Sequence, residues 1–124
     1  MQTARVIYFE IPTQEPQRCM DFYAKVFGWE FSKLEDCDQW LCRTGTDERP
    51  GINGSIKLAK NGNEPVCNTL YVQDLEQTRS AILNQGGWVQ GSEVTVPGLG
   101  QMLYFKDPEG NLHGALQPFG NANG

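Results

Sequence analysis

The groups in this chain that could do chemistry are few, and they lie on strand-like segments. Glu10 follows Tyr8 by two residues in R-V-I-Y-F-E-I-P. Successive strand side chains point to opposite faces. Tyr8 and Glu10 therefore share one face, and Ile7, Phe9 and Ile11 share the other. A carboxylate on a desolvated face can serve as a general base or anchor a cationic ligand. Cys67 is a second candidate. A reactive thiolate needs a nearby cation or helix N-terminus, and neither is adjacent in sequence, so Cys67 reads as a small wall residue. His113 is the single histidine. Trp40, Thr69, Tyr71 and Tyr104 reach the same kind of face by alternation and would supply walls for an apolar ligand. No G-x-S-x-G, phosphate loop or H-E-x-x-H occurs. V-P-G-L-G-Q is glycine-rich but precedes a strand, so it is not expected to cradle phosphate.

The rest of the chain must position these groups. Its 124 residues suit one domain with a real core. A net charge of −5 argues against nucleic acid as a partner. No apolar run is long enough to span a bilayer, so no membrane partner is expected. No basic segment followed by an apolar stretch opens the chain, which points to a cytoplasmic protein. Cys19, Cys37, Cys42 and Cys67 form no C-x-x-C pair and are expected as free thiols.

Residues 5–12 read as a strand ending at Pro12. Pro16 suits the first turn of a helix, and Gly28 suits its stop. Cys19, Phe22, Tyr23, Val26 and Phe27 form an apolar stripe at helical spacing, expected to pack on Ile7, Phe9 and Ile11. Strands are expected over 29–34, 39–44 and 52–59. Residues 60–66 are polar and aperiodic and read as a linker. The order then repeats: a strand at 68–73, a helix at 75–85 capped by Asp74, and a strand at 88–96 interrupted at Gly91. The hairpin around Asp107-Pro108-Glu109-Gly110 follows. In that turn Pro108 pre-sets φ and Gly110 permits the reversal. Residues 119–124 read as a frayed tail.

The repeat is visible by subtraction. An offset of 59 carries Gly28 to Gly87, Trp29 to Trp88, Tyr23 to Ile82 and Ile11 to Leu70. Towards the end of each half, an offset of 60 would match Gly54 with Gly114 and Ile56 with Leu116. The expected fold class is α+β: two βαβββ modules, about 5–59 and 67–117, in one domain. A curved mixed sheet of this kind encloses a central cavity.

The pieces F-E-I-P, D-F-Y-x-x-V-F-G-W-E-F, Y-V-Q-D-L-E-Q, G-G-W-V and F-x-D-P-E-G-N resemble the vicinal oxygen chelate superfamily, in its small single-domain branch. That superfamily includes glyoxalases, bleomycin-resistance proteins and dioxygenases. The resemblance covers residues 5–118 and implies the fold rather than one activity. It also implies a homodimer.

In metal-dependent relatives, His or Glu ligands come from the first and last strands of each half. Those positions fall on Tyr8, Gly54, Cys67 and Gly114, with Asn53 or Ser55 as alternatives to Gly54. None is a histidine or a carboxylate, and a site needs at least three donors of suitable type. No metal and no cofactor is therefore expected. His113, next to Gly114, should point out of the cavity.

The expected function is that of a glyoxalase- or bleomycin-resistance-like protein that binds a small aromatic or cationic molecule without a metal. Tyr8, Glu10, Trp40, Gly54, Cys67, Thr69, Tyr71, Tyr104 and Gly114 are the expected lining, the two glycines leaving open space. The alternative is a lyase, isomerase or dioxygenase-type enzyme with a non-standard site, using Glu10 as base or ligand.

Overall fold

The computed structural model describes residues 3–120. The elements come in the expected order: β1 (Val6–Thr13), α1 (Pro16–Phe27), β2 (Glu30–Lys33), β3 (Gln39–Arg43) and β4 (Gly54–Leu58). Then follow β5 (Cys67–Tyr71), α2 (Leu75–Asn84), β6 (Trp88–Val96), β7 (Gly100–Lys106) and β8 (Leu112–Pro118). This is an α+β chain of two βαβββ modules. Of the expected tail, Phe119 and Gly120 are described, and residues 121–124 lie outside the described residues.

The local signals act as their chemistry predicts. Pro16 opens α1, where its missing N–H costs nothing. Gly28 closes that helix in the left-handed region at φ 75°, and its N–H donates to the Ala24 carbonyl. Asp74 caps α2, its Oδ1 accepting from the Gln77 N–H at 3.0 Å. Gly91, at φ 74°, lies inside the irregular stretch of β6 between Gln90 and Val94. Among the described residues, no helix is long and apolar enough to cross a membrane.

The chain divides into two compact units: Tyr8–Cys67, and the described residues 3–7 with 68–120. In the first, the strand order is β2-β3-β4-β1, with β1 parallel to β4 and the other pairs antiparallel. Its core is Ile11, Met20 and Ile56, with Phe9, Cys19, Tyr23, Trp29, Phe31 and Trp40 packed around them. In the second, the order is β5-β8-β7-β6, with β5 parallel to β8. Leu75, Leu103 and Ala115 form its core, flanked by Val72, Ile82, Val89 and Phe105.

Two expectations need correction. The helix stripe is narrower than its sequence pattern. Met20, Cys19 and Tyr23 face the core, whereas Phe22, Val26 and Phe27 are each more than half exposed. Met20 and Phe22 are roughly 160° apart round the helix, so the buried stripe through Met20 leaves Phe22 outside, while Phe27 is exposed as the last residue of α1. The repeat offset also does not slip. Glu10 pairs with Ser55, and 59 residues later Thr69 pairs with Gly114. Ile56 thus answers Ala115, both fully buried, and Ser55 answers Gly114.

Candidate functional site

In the first unit, β1 and β4 run side by side in register, so Glu10 and Ser55 are direct neighbours and share a face. Tyr8 lies on that face by alternation, and Lys57 lies there two residues beyond Ser55. Glu10 is 4 % exposed. The Cys67 thiol donates to Glu10 Oε1 at 3.7 Å. Burial pushes that thiol up to about 12, the Glu10 charge adds to the rise and Lys57 opposes it. Cys67 is therefore a protonated hydrogen-bond donor at neutral pH, not a nucleophile. Burial raises the Tyr8 phenol as well. The Ser55 hydroxyl opposes that rise and the Glu10 charge reinforces it. Ser55 Oγ is fully buried beside that phenol.

In the second unit, Thr69 and Gly114 are register partners, as are Tyr104 and Gly114 and also Tyr71 and Leu116. Thr69, Tyr71, Tyr104 and Gly114 therefore share one sheet face. Thr69 is 1 % exposed, and its Oγ1 makes no hydrogen bond among the described residues. His113 lies on the opposite face, stacked on Phe105 at 5.6 Å between ring centroids. That is the outward direction expected from strand alternation.

Two expected lining residues are elsewhere, and the two glycines do not open space. Trp40 pairs with Ile56 and packs on the helix-side core, because its register places it on the Ile11 face. Gly54 is on that same side. A Cβ there would strike the Phe9 carbonyl and ring, so its glycine answers to close packing rather than to a ligand. The space in front of Gly114 is filled by the Met102 methyl. Sequence reasoning missed Met102 and Lys57. Keeping the offset at 59 would have placed Ser55 on the Glu10 face and Lys57 two residues on.

The donor set does not fit a metal. The first unit offers one carboxylate, hydroxyls and a thiol whose proton is held by that carboxylate. The second offers a hydroxyl and a glycine with a methyl group in front of it. No group of three or more His, Cys, Asp or Glu among the described residues is arranged to hold an ion. Stable sites need imidazole, thiolate or several carboxylate oxygens converging.

Residues 7–115 match the family described as Glyoxalase-like domain. The chain belongs to that family. Solved structures with the same fold include a glyoxalase/bleomycin resistance protein/dioxygenase superfamily member from Vibrio splendidus. It is 16 % identical, with a TM-score of 0.61, covering 93 % of this chain and 99 % of that one. Methylmalonyl-CoA epimerase of Streptomyces coelicolor, in complex with 2-nitronate-propionyl-CoA, is 13 % identical. Its TM-score is 0.68, and the match covers 96 % of this chain and 100 % of that one. A hypothetical protein from Bacillus halodurans is 9 % identical, with a TM-score of 0.67 and coverage of 97 % and 98 %. At these identities the likeness is one of fold. No curated protein matches the chain.

Proposed function

We propose that this glyoxalase-like chain is a single domain that binds a small organic molecule without a metal, in the manner of a bleomycin-resistance protein. Glu10 is the anchoring group. The observation that carries this reading is the buried Glu10 carboxylate, hydrogen-bonded by the Cys67 thiol and flanked by Tyr8 and Ser55. Carboxylates are rarely buried unless paired or used. The aromatic ring of Tyr8 beside a carboxylate suits a flat ligand bearing a positive charge or a hydrogen-bond donor. The four free cysteines suit a reducing, cytoplasmic setting. The exposed Phe22, Val26 and Phe27 ridge on α1 supports a homodimer.

A thermal-shift screen of aromatic cations, followed by titration of the best compound, tests the reading. A ligand that prefers the folded state raises Tm. Glu10→Gln should weaken binding about tenfold or more while leaving the fold intact. Equal affinity for the two proteins removes Glu10 from the site. A second reading rests on the same carboxylate. Held against a protonated thiol and out of water, Glu10 is placed to take a proton from a carbon acid, as a lyase or isomerase requires. Turnover of the identified ligand, lost in Glu10→Gln, would select this reading over sequestration.

A further inference from the structure

The second unit contains a cavity of about 340 Å³ on the helix side of its sheet. This is the face opposite Thr69 and Gly114. Its floor is apolar: Leu70, Ile82, Phe105 and Ala115. Its wall is α2 at Ala81, and its outer edge is the segment Thr3–Arg5. That segment is tied down by the Tyr71 N–H, which donates to the Arg5 carbonyl at 3.0 Å.

The repeat places a hollow at the same position in both units. The offset of 59 carries Phe22 to Ala81 and Cys19 to Thr78. In the first unit the equivalent hollow is bordered by the Phe22 and Tyr23 rings, and the segment after β4, at Ala59, Asn61 and Gly62, lies over it. The hollow of the first unit is the larger, about 480 Å³, and its Phe22 ring stands at the rim, more than half exposed. In the second unit the same wall position is the Ala81 methyl, above a floor that is aliphatic apart from Phe105.

One charged group at the rim is open to a partner. Arg5 is exposed and has no ion pair among the described residues. The acid nearby, Asp74, is turned to its own helix as the cap of Gln77. The first N–H of α2 is likewise taken, Leu75 donating to Gln117 Oε1 at 2.7 Å. Recognition of an anion at this rim therefore falls to the Arg5 guanidinium.

We propose that this cavity is a second binding site, for a small amphiphilic carboxylate. A single-ring body would sit beside Ala81 on Leu70, Ile82 and Phe105, with its carboxylate on Arg5. Pockets for small ligands begin at roughly this size, and a planar guanidinium matches a carboxylate in two parallel hydrogen bonds. The site is separate from the Glu10 face, so it stands or falls independently of the function proposed above.

Ligand-observed NMR with benzoate, phenylacetate and 3-phenylpropanoate, and with benzamide as the uncharged control, tests the proposal on the full chain. The carboxylates should bind with Kd in the millimolar range or tighter. Arg5→Gln should weaken them about tenfold without changing benzamide. Ala81→Phe, which adds a ring to the wall against which the probe would lie, should weaken binding of all four probes. If that variant fails to fold, Ala81→Leu is the substitute, with the same expectation. Glu10→Gln should bind the probes as the wild type does. No binding of any carboxylate at about 10 mM, binding unchanged by both Arg5→Gln and Ala81→Phe, or binding lost in Glu10→Gln would each overturn the proposal.

Discussion

The two modules share topology and register but differ in what they place at equivalent positions. Glu10 and Ser55 of the first answer Thr69 and Gly114 of the second. One sheet face thus carries a buried carboxylate and a hydroxyl. The other carries a hydroxyl and a glycine covered by the Met102 methyl. On the helix side the contrast reverses. The core of the first module is built of rings: Tyr23 stacks on Trp29 at 4.6 Å, and Phe9 and Trp40 pack beside them. The second is mostly aliphatic, with Phe105 as its ring, and each module keeps a hollow beside its helix, at Phe22 and at Ala81. The central core pair stays apolar in both, Ile11 with Ile56 and Leu70 with Ala115, and the helix-ending glycine and the tryptophan after it recur as Gly28-Trp29 and Gly87-Trp88. The repeated scaffold conserves what the sheet needs and places its differences where a ligand could be met.

The sharpest break of this comparison is in the two cores. Ile56 and Leu103 are both 0 % exposed and belong to separate clusters. Ile56→Ala and Leu103→Ala should each cost about 2–5 kcal/mol in urea unfolding. The double variant should lose the sum, because the clusters share no member. Strong non-additivity would mean that the modules act as one core.

The glycines give a smaller and more selective contrast. At Gly54 an added methyl meets the Phe9 backbone carbonyl and ring, which cannot step aside. Gly54→Ala should cost about 1–3 kcal/mol, the usual range for overpacking. At Gly114 the obstacle is the end of a flexible methionine, so Gly114→Ala should cost less than about 1 kcal/mol. Equal losses at the two positions would refute the assignment of Gly54 to packing.

Those glycines also mark where the sequence stopped being legible. Element order, the two helix stops and the D-P-E-G-N turn could be read because each rests on local chemistry. The Tyr8–Glu10 alternation was legible for the same reason. The face of Gly54 was not. Matching it with Gly114 by identity shifted the repeat by one residue, and in a strand one residue reverses the face. Trp40 was misplaced similarly, since only its pairing with Ile56 fixes its direction. The Cys67–Glu10 contact joins residues 57 apart, and no local pattern encodes it.

A weaker effect distinguishes the thiols. The Cys67 thiol is raised from its ordinary value of 9.0 to about 12. A raised folded pKa means that the unfolded chain ionises first. Its contribution to stability is then complete below about pH 9 and declines as pH rises towards 12. Cys67→Ala should flatten the alkaline fall in stability. In the wild type at pH 8, Cys67 should be alkylated far more slowly than the half-buried Cys37. Rapid labelling of native Cys67 would contradict its role as donor to Glu10.

The smallest expected effect compares the turns that close the second hairpin of each module. In the second module, Asp107 Oδ1 accepts from the Glu109 and Asn111 N–H groups, and Oδ2 accepts from the Asn111 amide, all at 2.9 Å. The Asn111 side chain holds its carboxyl below the ordinary 3.8, helped by the two backbone N–H groups and the charge of His113. In the first module the corresponding loop carries an exposed Arg43–Asp47 ion pair and, at its tip, the Thr46 hydroxyl, which accepts from the Arg49 N–H at 3.1 Å. A depressed folded pKa contributes stability that is present above the unfolded value and lost as pH falls through the folded one. Asp107→Asn should therefore lower Tm modestly at pH 7, and the gap to wild type should close as pH drops well below 3.8. Thr46→Ala should lower Tm by an amount that does not change across that range, since a hydroxyl does not titrate there. Thermal melts of the three proteins from pH 7 to pH 2 decide the matter. A constant gap for Asp107→Asn would show that the turn is held by its backbone conformation, through Pro108 and Gly110, and not by the carboxylate.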